Sequence, residues 1–197
     1  QINEQPNTFY LFQQVYDKDG KAIQNAFVDR DGNGKITEAD RYLTGKSPMA
    51  KVFMGLSSEF TYRNWDLGFN LRANLGNYVF NSLASGNSTT YNYSGKGFLV
   101  NYYEAIYKTG FTQINSTEQG ASDYFLENAS FLKMDNITLG YSFKKLFTNR
   151  LSGRISASVQ NVFTITKYSG LDPETSAVDG SMWPRPRTFT LGINLNF

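Results

Sequence analysis

The residues best placed to do chemistry are crowded into one short stretch. Asp29, Asp31, Asn33 and Asp40 put side-chain oxygens at the first, third, fifth and twelfth positions of a run in which Gly34 takes the sixth. Hard oxygen donors at alternate positions can wrap one Ca²⁺ ion, with the glycine making the sharp turn and Lys35 offering its backbone carbonyl at the seventh position. Position twelve is Asp, whose stem reaches less far than Glu for bidentate ligation, and no helical pattern flanks the run. The same residues suit a metal-free turn in which Asx side chains bind nearby amides. The stretch is therefore expected to be either a structural Ca²⁺ site or a self-capped turn.

Other chemistry is thin. The chain has no Cys and no His. Disulfides, thiolate metal sites and His-based triads are excluded. Glu59, Arg63, Asp66, Arg72 and Arg154 fall at polar positions of alternating segments. Charges placed so most often pair with one another, and no spacing sets two carboxylates up as an acid/base pair, so an enzyme is not expected. A formal net charge of +2 gives no electrostatic claim on nucleic acid. Tyr91, Tyr93, Tyr102, Tyr103 and Trp183 lie between the patterned segments. They suit stacking on sugar rings, and equally packing among loops.

The elements that must position these residues read as strands. In 187–197, Phe189, Leu191, Ile193, Leu195 and Phe197 fall on one face, with Thr188, Thr190, Gly192, Asn194 and Asn196 on the other. At roughly 3.3 Å per residue such a strand crosses a tilted bilayer. The pattern recurs at 50–63, 64–77, 129–143 and 153–165, where Asn161 interrupts the apolar face, and more weakly at 8–16, which is aromatic on both faces. Six antiparallel strands are expected. Leu67, Phe69, Leu71, Leu139, Tyr141, Leu191, Ile193 and Leu195 would face lipid; Asn70, Arg72, Thr138, Gly140, Gln160 and Asn194 would face the interior.

Connections alternate short and long. Those near 62–64 and 144–152 are short; those at 17–48, 77–128 and 167–186 are long. Outer-membrane barrels do this, with short periplasmic turns and long outer loops. Aromatic residues make up 16% of the chain and the mean hydropathy is −0.43. A barrel accommodates that negative mean because every second residue is polar. No apolar run reaches the ~18 residues of a membrane helix. Trp65, Tyr62, Phe143 and Phe147 beside the short turns fit an interfacial aromatic girdle. Six strands fall below the usual minimum of about 8, so the rest of the cylinder is expected upstream; the polar opening Gln1-Ile2-Asn3-Glu4 also reads as the interior of a longer precursor. Two other readings stay open: a soluble all-β, calcium-stabilised carbohydrate-binding module, and a structural barrel without transport.

Four stretches resemble hallmarks of the SusC/RagA family of TonB-dependent outer-membrane transporters. They are Asp29-Arg30-Asp31-Gly32-Asn33-Gly34-Lys35-Ile36; Phe125-Leu126-Glu127-Asn128-Ala129-Ser130-Phe131-Leu132-Lys133-Met134-Asp135-Asn136-Ile137-Thr138-Leu139-Gly140-Tyr141; Ser158-Val159-Gln160-Asn161-Val162-Phe163-Thr164 with Lys167-Tyr168-Ser169-Gly170-Leu171-Asp172-Pro173-Glu174; and Pro184-Arg185-Pro186-Arg187-Thr188-Phe189-Thr190-Leu191-Gly192 with Asn196-Phe197. They occur in the family's order along nearly the whole chain. The resemblance implies the C-terminal part of a plugged barrel of about 22 strands. It also implies a SusD-like surface lipoprotein as lid, TonB engaged through an N-terminal region outside this chain, and import of oligosaccharides or peptides. Phe197 resembles the terminal aromatic read by barrel-assembly machinery.

Overall fold

The computed structural model describes residues 6–89, 101, 103–112, 117–146, 151–180 and 183–196. In chain order its strands are β1 Tyr10–Phe12, β2 Gln14–Tyr16, β3 Ala22–Phe27, β4 Arg41–Leu43, β5 Val52–Tyr62, β6 Trp65–Leu75, β7 Tyr78–Asn81, β8 Leu126–Asn128, β9 Phe131–Leu146, β10 Leu151–Thr166, β11 Val178–Asp179 and β12 Thr188–Asn196. Short helices are α1 Ser82–Gly86, α2 Glu104–Thr109 and α3 Thr117–Gly120. Among the described residues no helix is long and apolar enough to cross a membrane.

The chain forms two compact units. One is a five-stranded antiparallel sheet in the order β12-β10-β9-β6-β5. Period-two patterning makes it, because alternation turns every apolar side chain to one face. Phe60, Leu67, Leu139, Ala157 and Leu191 form one row across all five strands. Glu59, Gly68, Thr138, Ser158 and Thr190 form the neighbouring row on the opposite face. The apolar face is open: Phe60 is 56% exposed, Phe189 73% and Leu191 83%. A soluble sheet buries such a face, whereas a barrel wall turns it to lipid. Trp65 and Tyr141, 4.7 Å apart between ring centroids, lie beside the Arg63-Asn64 turn as a girdle requires. Phe147 lies outside the described residues.

Two adjacent bulges account for the irregular pattern near Asn161. Between Asn136 and Met134, β9 carries Asp135 as one extra residue against β6, where Asn70 and Leu71 are adjacent. Opposite it, β10 carries two residues, Asn161 and Val162. One extra residue shifts the parity of β9, so Ile137 and Leu139 share a face with Leu132 and Met134. Two extra residues preserve parity on β10, so Val159 and Phe163 stay on one face. Asn161 does not break the apolar face; it is the bulge, at φ 53°, with its carboxamide nitrogen donating to the carbonyls of Arg185 (2.8 Å) and Pro186 (3.3 Å).

The expected first strand is corrected. Residues 8–16 do not join the five-stranded sheet but break into β1, which pairs with β4, and β2, which pairs with β3. Their two-faced aromatic character offers no lipid side. Gln14 is 3% exposed and ties the segment inward: its Nε2 donates to the carbonyls of Val15, Ile23 and Ala26, and its Oε1 accepts from Gln119 and Ser122.

This second unit collects residues 1–50, 77–129 and 168–183, which hold almost all of the three long connections. The described part of these connections builds a core of its own. Ala22, Ala84, Phe111 and Phe125 form one buried cluster, and Val79, Ala129 and Tyr168 another. Phe12 and Phe27 pack 5.8 Å apart. β7 pairs with β8 antiparallel and with β11 parallel, joining the second and third connections.

Sidedness gives a paired test. Arg at Phe69 should cost up to about 2–4 kcal/mol near the bilayer midplane. Arg at Asn70, on the polar face, should be tolerated despite losing the 3.0 Å hydrogen bond to Asn136. Heat-modifiable gel migration of the two variants reads the difference, and equal loss of folded species would contradict the assigned faces.

Candidate functional site

The acidic stretch forms a compact loop. Carboxylate oxygens of Asp29, Asp31 and Asp40 lie within 4.8 Å of one another. Asp29 accepts from the amides of Gly32 (2.7 Å) and Gly34 (2.8 Å). Gly34, at φ 77°, supplies the left-handed turn expected of it. Asp31 accepts from the Asn33 amide and carboxamide, at 3.1 and 2.7 Å. The Asn33 carboxamide oxygen accepts from the Lys35 amide at 2.8 Å. Three of the expected oxygen ligands therefore converge, while that of Asn33 is engaged by Lys35.

Asp40 organises the loop. It is fully buried, on a single 3₁₀ turn capped by Thr37. Its oxygens accept from the amides of Thr37 and Arg30, both at 2.7 Å, and more weakly from that of Asp31 at 3.4 Å. The Thr37 amide is the main cause of a carboxyl pKa below the ordinary value; burial opposes it, and the Arg30 and Asp31 amides add to it. A carboxylate so held needs no metal to stay charged.

Of the aromatic candidates, Tyr103 is half-buried and packs against the Ala22–Ala84–Phe111–Phe125 cluster just before α2. Trp183 is 86% exposed. Tyr91, Tyr93, Tyr102 and Phe197 lie outside the described residues. A cavity of about 290 Å³ missed at the sequence level is lined by Tyr124, Phe125, Lys108, Thr109, Glu127 and Ser169, among others. Glu127 accepts from Asn81 (2.9 Å) and from the amide and hydroxyl of Ser169 (2.8 and 2.7 Å). Tyr168 donates to buried Asp179 at 2.9 Å, and burial followed by that bond pushes its phenol pKa up. A Cβ on Gly170 would lie 2.5 Å from the Tyr168 ring. No periodicity announces these contacts; the sequence signal is the place of Phe125, Glu127, Tyr168, Ser169 and Gly170 inside hallmark stretches.

Of the charges expected on the sheet's polar face, Asp66, Arg72 and Arg154 are held in ion pairs. Arg154 holds Asp66 through two nitrogens, at 2.5 and 3.1 Å. Gly140 stands between them in the β6–β9–β10 ladder, where a Cβ would lie 2.4 Å from both the guanidinium and the carboxylate. Arg72 takes Asp135 in the same two-nitrogen fashion.

An antiparallel wall with one open apolar face, a polar face of paired charges and long structured connections defines an outer-membrane β-barrel segment. The comparisons identify which kind. The chain is 46% identical to the TonB-dependent receptor SusC of Bacteroides thetaiotaomicron over 97% of its own length and 19% of the relative's. It is 29% identical to the TonB-dependent receptor P3 of Formosa agariphila, over 87% of the chain and 19% of that relative. No family model matches. Among solved structures, the RagAB peptide transporter superposes with a TM-score of 0.70 at 23% identity, over 98% of this chain and 23% of that one. The chain belongs to the SusC/RagA-type TonB-dependent receptors of the bacterial outer membrane. It spans about a fifth of the length of the curated relatives it matches. Those relatives are receptors and transporters, and the chain is not an enzyme.

Two outcomes follow. The Asp40 pKa is depressed in the fold, so its stabilisation is full above the unfolded carboxyl value near ~4 and is lost as pH falls through the lower folded value. Hydrogen exchange at 28–41 should therefore rise on acidification below about pH 4, and Asp40→Asn should show fast exchange already at neutral pH. Second, Gly140→Ala should destabilise by about 1–3 kcal/mol through overpacking, measured by urea unfolding of the receptor in bilayers. The cost should shrink when Asp66→Ser and Arg154→Ser are also present.

Proposed function

We propose that this chain forms wall and outer loops of an outer-membrane importer of oligosaccharides or peptides, energised through TonB and working with a SusD-like surface lipoprotein. The single observation that carries the reading is the sheet's division into an open apolar face and a polar, charge-paired face, which suits a wall between lipid and a wet passage. The 46% identity to SusC and the fold likeness to a peptide transporter support it. TonB would act through a region outside this chain. Tyr91, Tyr93, Tyr102, Tyr103 and Trp183 are proposed substrate contacts, and so is the Tyr124–Phe125 cavity, because it pairs aromatic surface with Lys108 and Glu127. A Ca²⁺ ion in the 29–40 loop, held by Asp29, Asp31 and Asp40 with Asn33 and the Lys35 carbonyl, is proposed as structural. Phe197 is proposed as the assembly signal.

In cells carrying the full receptor, uptake of labelled oligosaccharide or peptide should require TonB and the receptor together. Uptake that persists without TonB would end the import reading. For the partner, the 77–128 connection is proposed to make this chain's largest contact with the lipoprotein. Tyr107, 74% exposed on α2, offers apolar surface there. Deleting 86–97, or Tyr107→Ala with Trp183→Ala, should lower co-purification of the lipoprotein while leaving the barrel folded; unchanged co-purification would make the connection a bystander.

A further inference from the structure

β10 and β12 pair without a break from Ser152↔Asn196 to Gln160↔Thr188. Alternation alone does not fix that register. A slip of one residue would turn every side chain of β12 to the wrong face, but a slip of two returns each to its own. Moved two residues one way, Leu191, Ile193 and Leu195 would face Val159, Ala157 and Ile155, which are as apolar as their present partners. Turn geometry fixes register where a hairpin is short. β5 and β6 are joined by Arg63-Asn64 alone, with Arg63 at φ 55°. β10 and β12 are joined by 167–187, too long for that device. Among the described residues β12 has β10 as its one neighbour in the sheet. Another contact must therefore hold it.

That contact lies one residue past the last pair. Asn161 takes the left-handed backbone of the β10 bulge at φ 53°, a region Asn enters more readily than most residues. Its carboxamide nitrogen donates to the carbonyls of Arg185, at 2.8 Å, and Pro186, at 3.3 Å. The Arg187 side chain returns the contact, its Nε donating to the Asn161 carbonyl at 3.4 Å. Proline keeps its carbonyl and lacks the N–H. Pro186 thus accepts from Asn161 and has nothing to donate to the ladder, which opposes the slip that would bring it opposite Gln160. The carboxamide opposes the other slip, which would carry Arg185 and Pro186 past it. We propose that Asn161 is the register pin of β12 and so sets the stagger at which the wall continues beyond this sheet. A closed barrel ties strand number, tilt and stagger together, so a strand held two residues out could not close with the rest. β12 is an edge of the described sheet, and its offset passes to whatever strand pairs next. The role is one of positioning and holds whether or not the barrel imports.

The test uses the full-length receptor in outer membranes and cysteine pairs on the polar face. This chain has no Cys of its own, and any elsewhere in the receptor are replaced by Ser. Ser158→Cys with Thr190→Cys reports the native register. Ser156→Cys with Asn194→Cys and Ser158→Cys with Thr188→Cys report the two slips. In the native register these last pairs are diagonal neighbours, with Cα atoms about 7–8 Å apart and beyond disulfide reach. After mild oxidation the native pair alone should cross-link when Asn161 is present. Asn161→Asp removes the donor and keeps the size; Asn161→Gly removes the side chain and keeps the left-handed backbone. Both should raise slipped over native cross-link about fivefold, the worth of one hydrogen bond. Ser57→Cys with Asn70→Cys, across the turn-fixed β5–β6 ladder, should cross-link unchanged in every variant. Native cross-link alone in both variants overturns the proposal. Slip in Asn161→Ala without slip in Asn161→Gly would assign the register to the backbone bend, and that also overturns it. Loss of both ladders alike would show a general folding role and no pin.

Discussion

Backbone pairing is the constraint on which the rest of the structure depends. A strand in hydrocarbon has no water to satisfy its amides and carbonyls, so each must meet a neighbouring strand. The ladder from Val52↔Leu75 to Tyr62↔Trp65, continued through β9 and β10 to β12, meets that demand inside the sheet. It also fixes which side chains share a face. β5 and β12 are the edges of this sheet and both carry exposed apolar residues, Met54 and Phe60 on one and Leu191 and Ile193 on the other. Edges of that kind are stable in a membrane only when further strands continue the wall. This is the physical reason a segment of this length belongs to a larger cylinder.

The five wall strands were legible because alternation is a local property. Leu67 to Leu75 and Phe189 to Leu195 declare their faces without knowledge of any partner. The bulges were not legible, because a bulge is defined by the neighbour's count. Asn161 looked like a fault in an apolar face, and only the register, with Asn161 and Val162 opposite Asp135 on β9 and no residue on β6, shows it to be part of a bulge that keeps Val159 and Phe163 on one face. The 8–16 segment misled for the opposite reason. Its alternation is real enough to make two short strands, but Gln14, buried with four side-chain hydrogen bonds to residues 9 to 108 positions further along the chain, sends them elsewhere. A strong local pattern lost to a non-local polar network.

The connections were the least legible part. Their contacts join residues tens of positions apart: Tyr42 to Asp123 at 2.6 Å, Asn25 to Gln119 at 2.8 Å, Ser169 to Glu127 at 2.7 Å. What could be read was chemistry with a short span. The 29–40 loop is such a case, since its carboxylates mostly bind amides within a few residues. That also explains why two readings of it survived from the sequence. The geometry that satisfies an Asx-rich turn is also the geometry that gathers oxygen donors, so the hydrogen bonds of the loop suit both readings. The family resemblance reached further than periodicity because several of its residues are joints. Tyr168 packs on Gly170 and donates to Asp179, while Glu127 bridges Asn81 and Ser169.

Charge placement on the polar face follows from the same register. Arg154 and Asp66 are two strands apart, on β10 and β6, which share no backbone hydrogen bonds. Their pairing can form only by crossing β9, and it crosses where β9 has Gly140, whose missing side chain leaves the guanidinium and the carboxylate room to meet. The bulge at Asp135 shifts β9 by one residue relative to β6. The ion pair spans all three strands on the short-turn side of that bulge, and a side chain at Gly140 would displace it. Pairing first, alternation second and a single glycine third therefore set where Arg154 and Asp66 can meet.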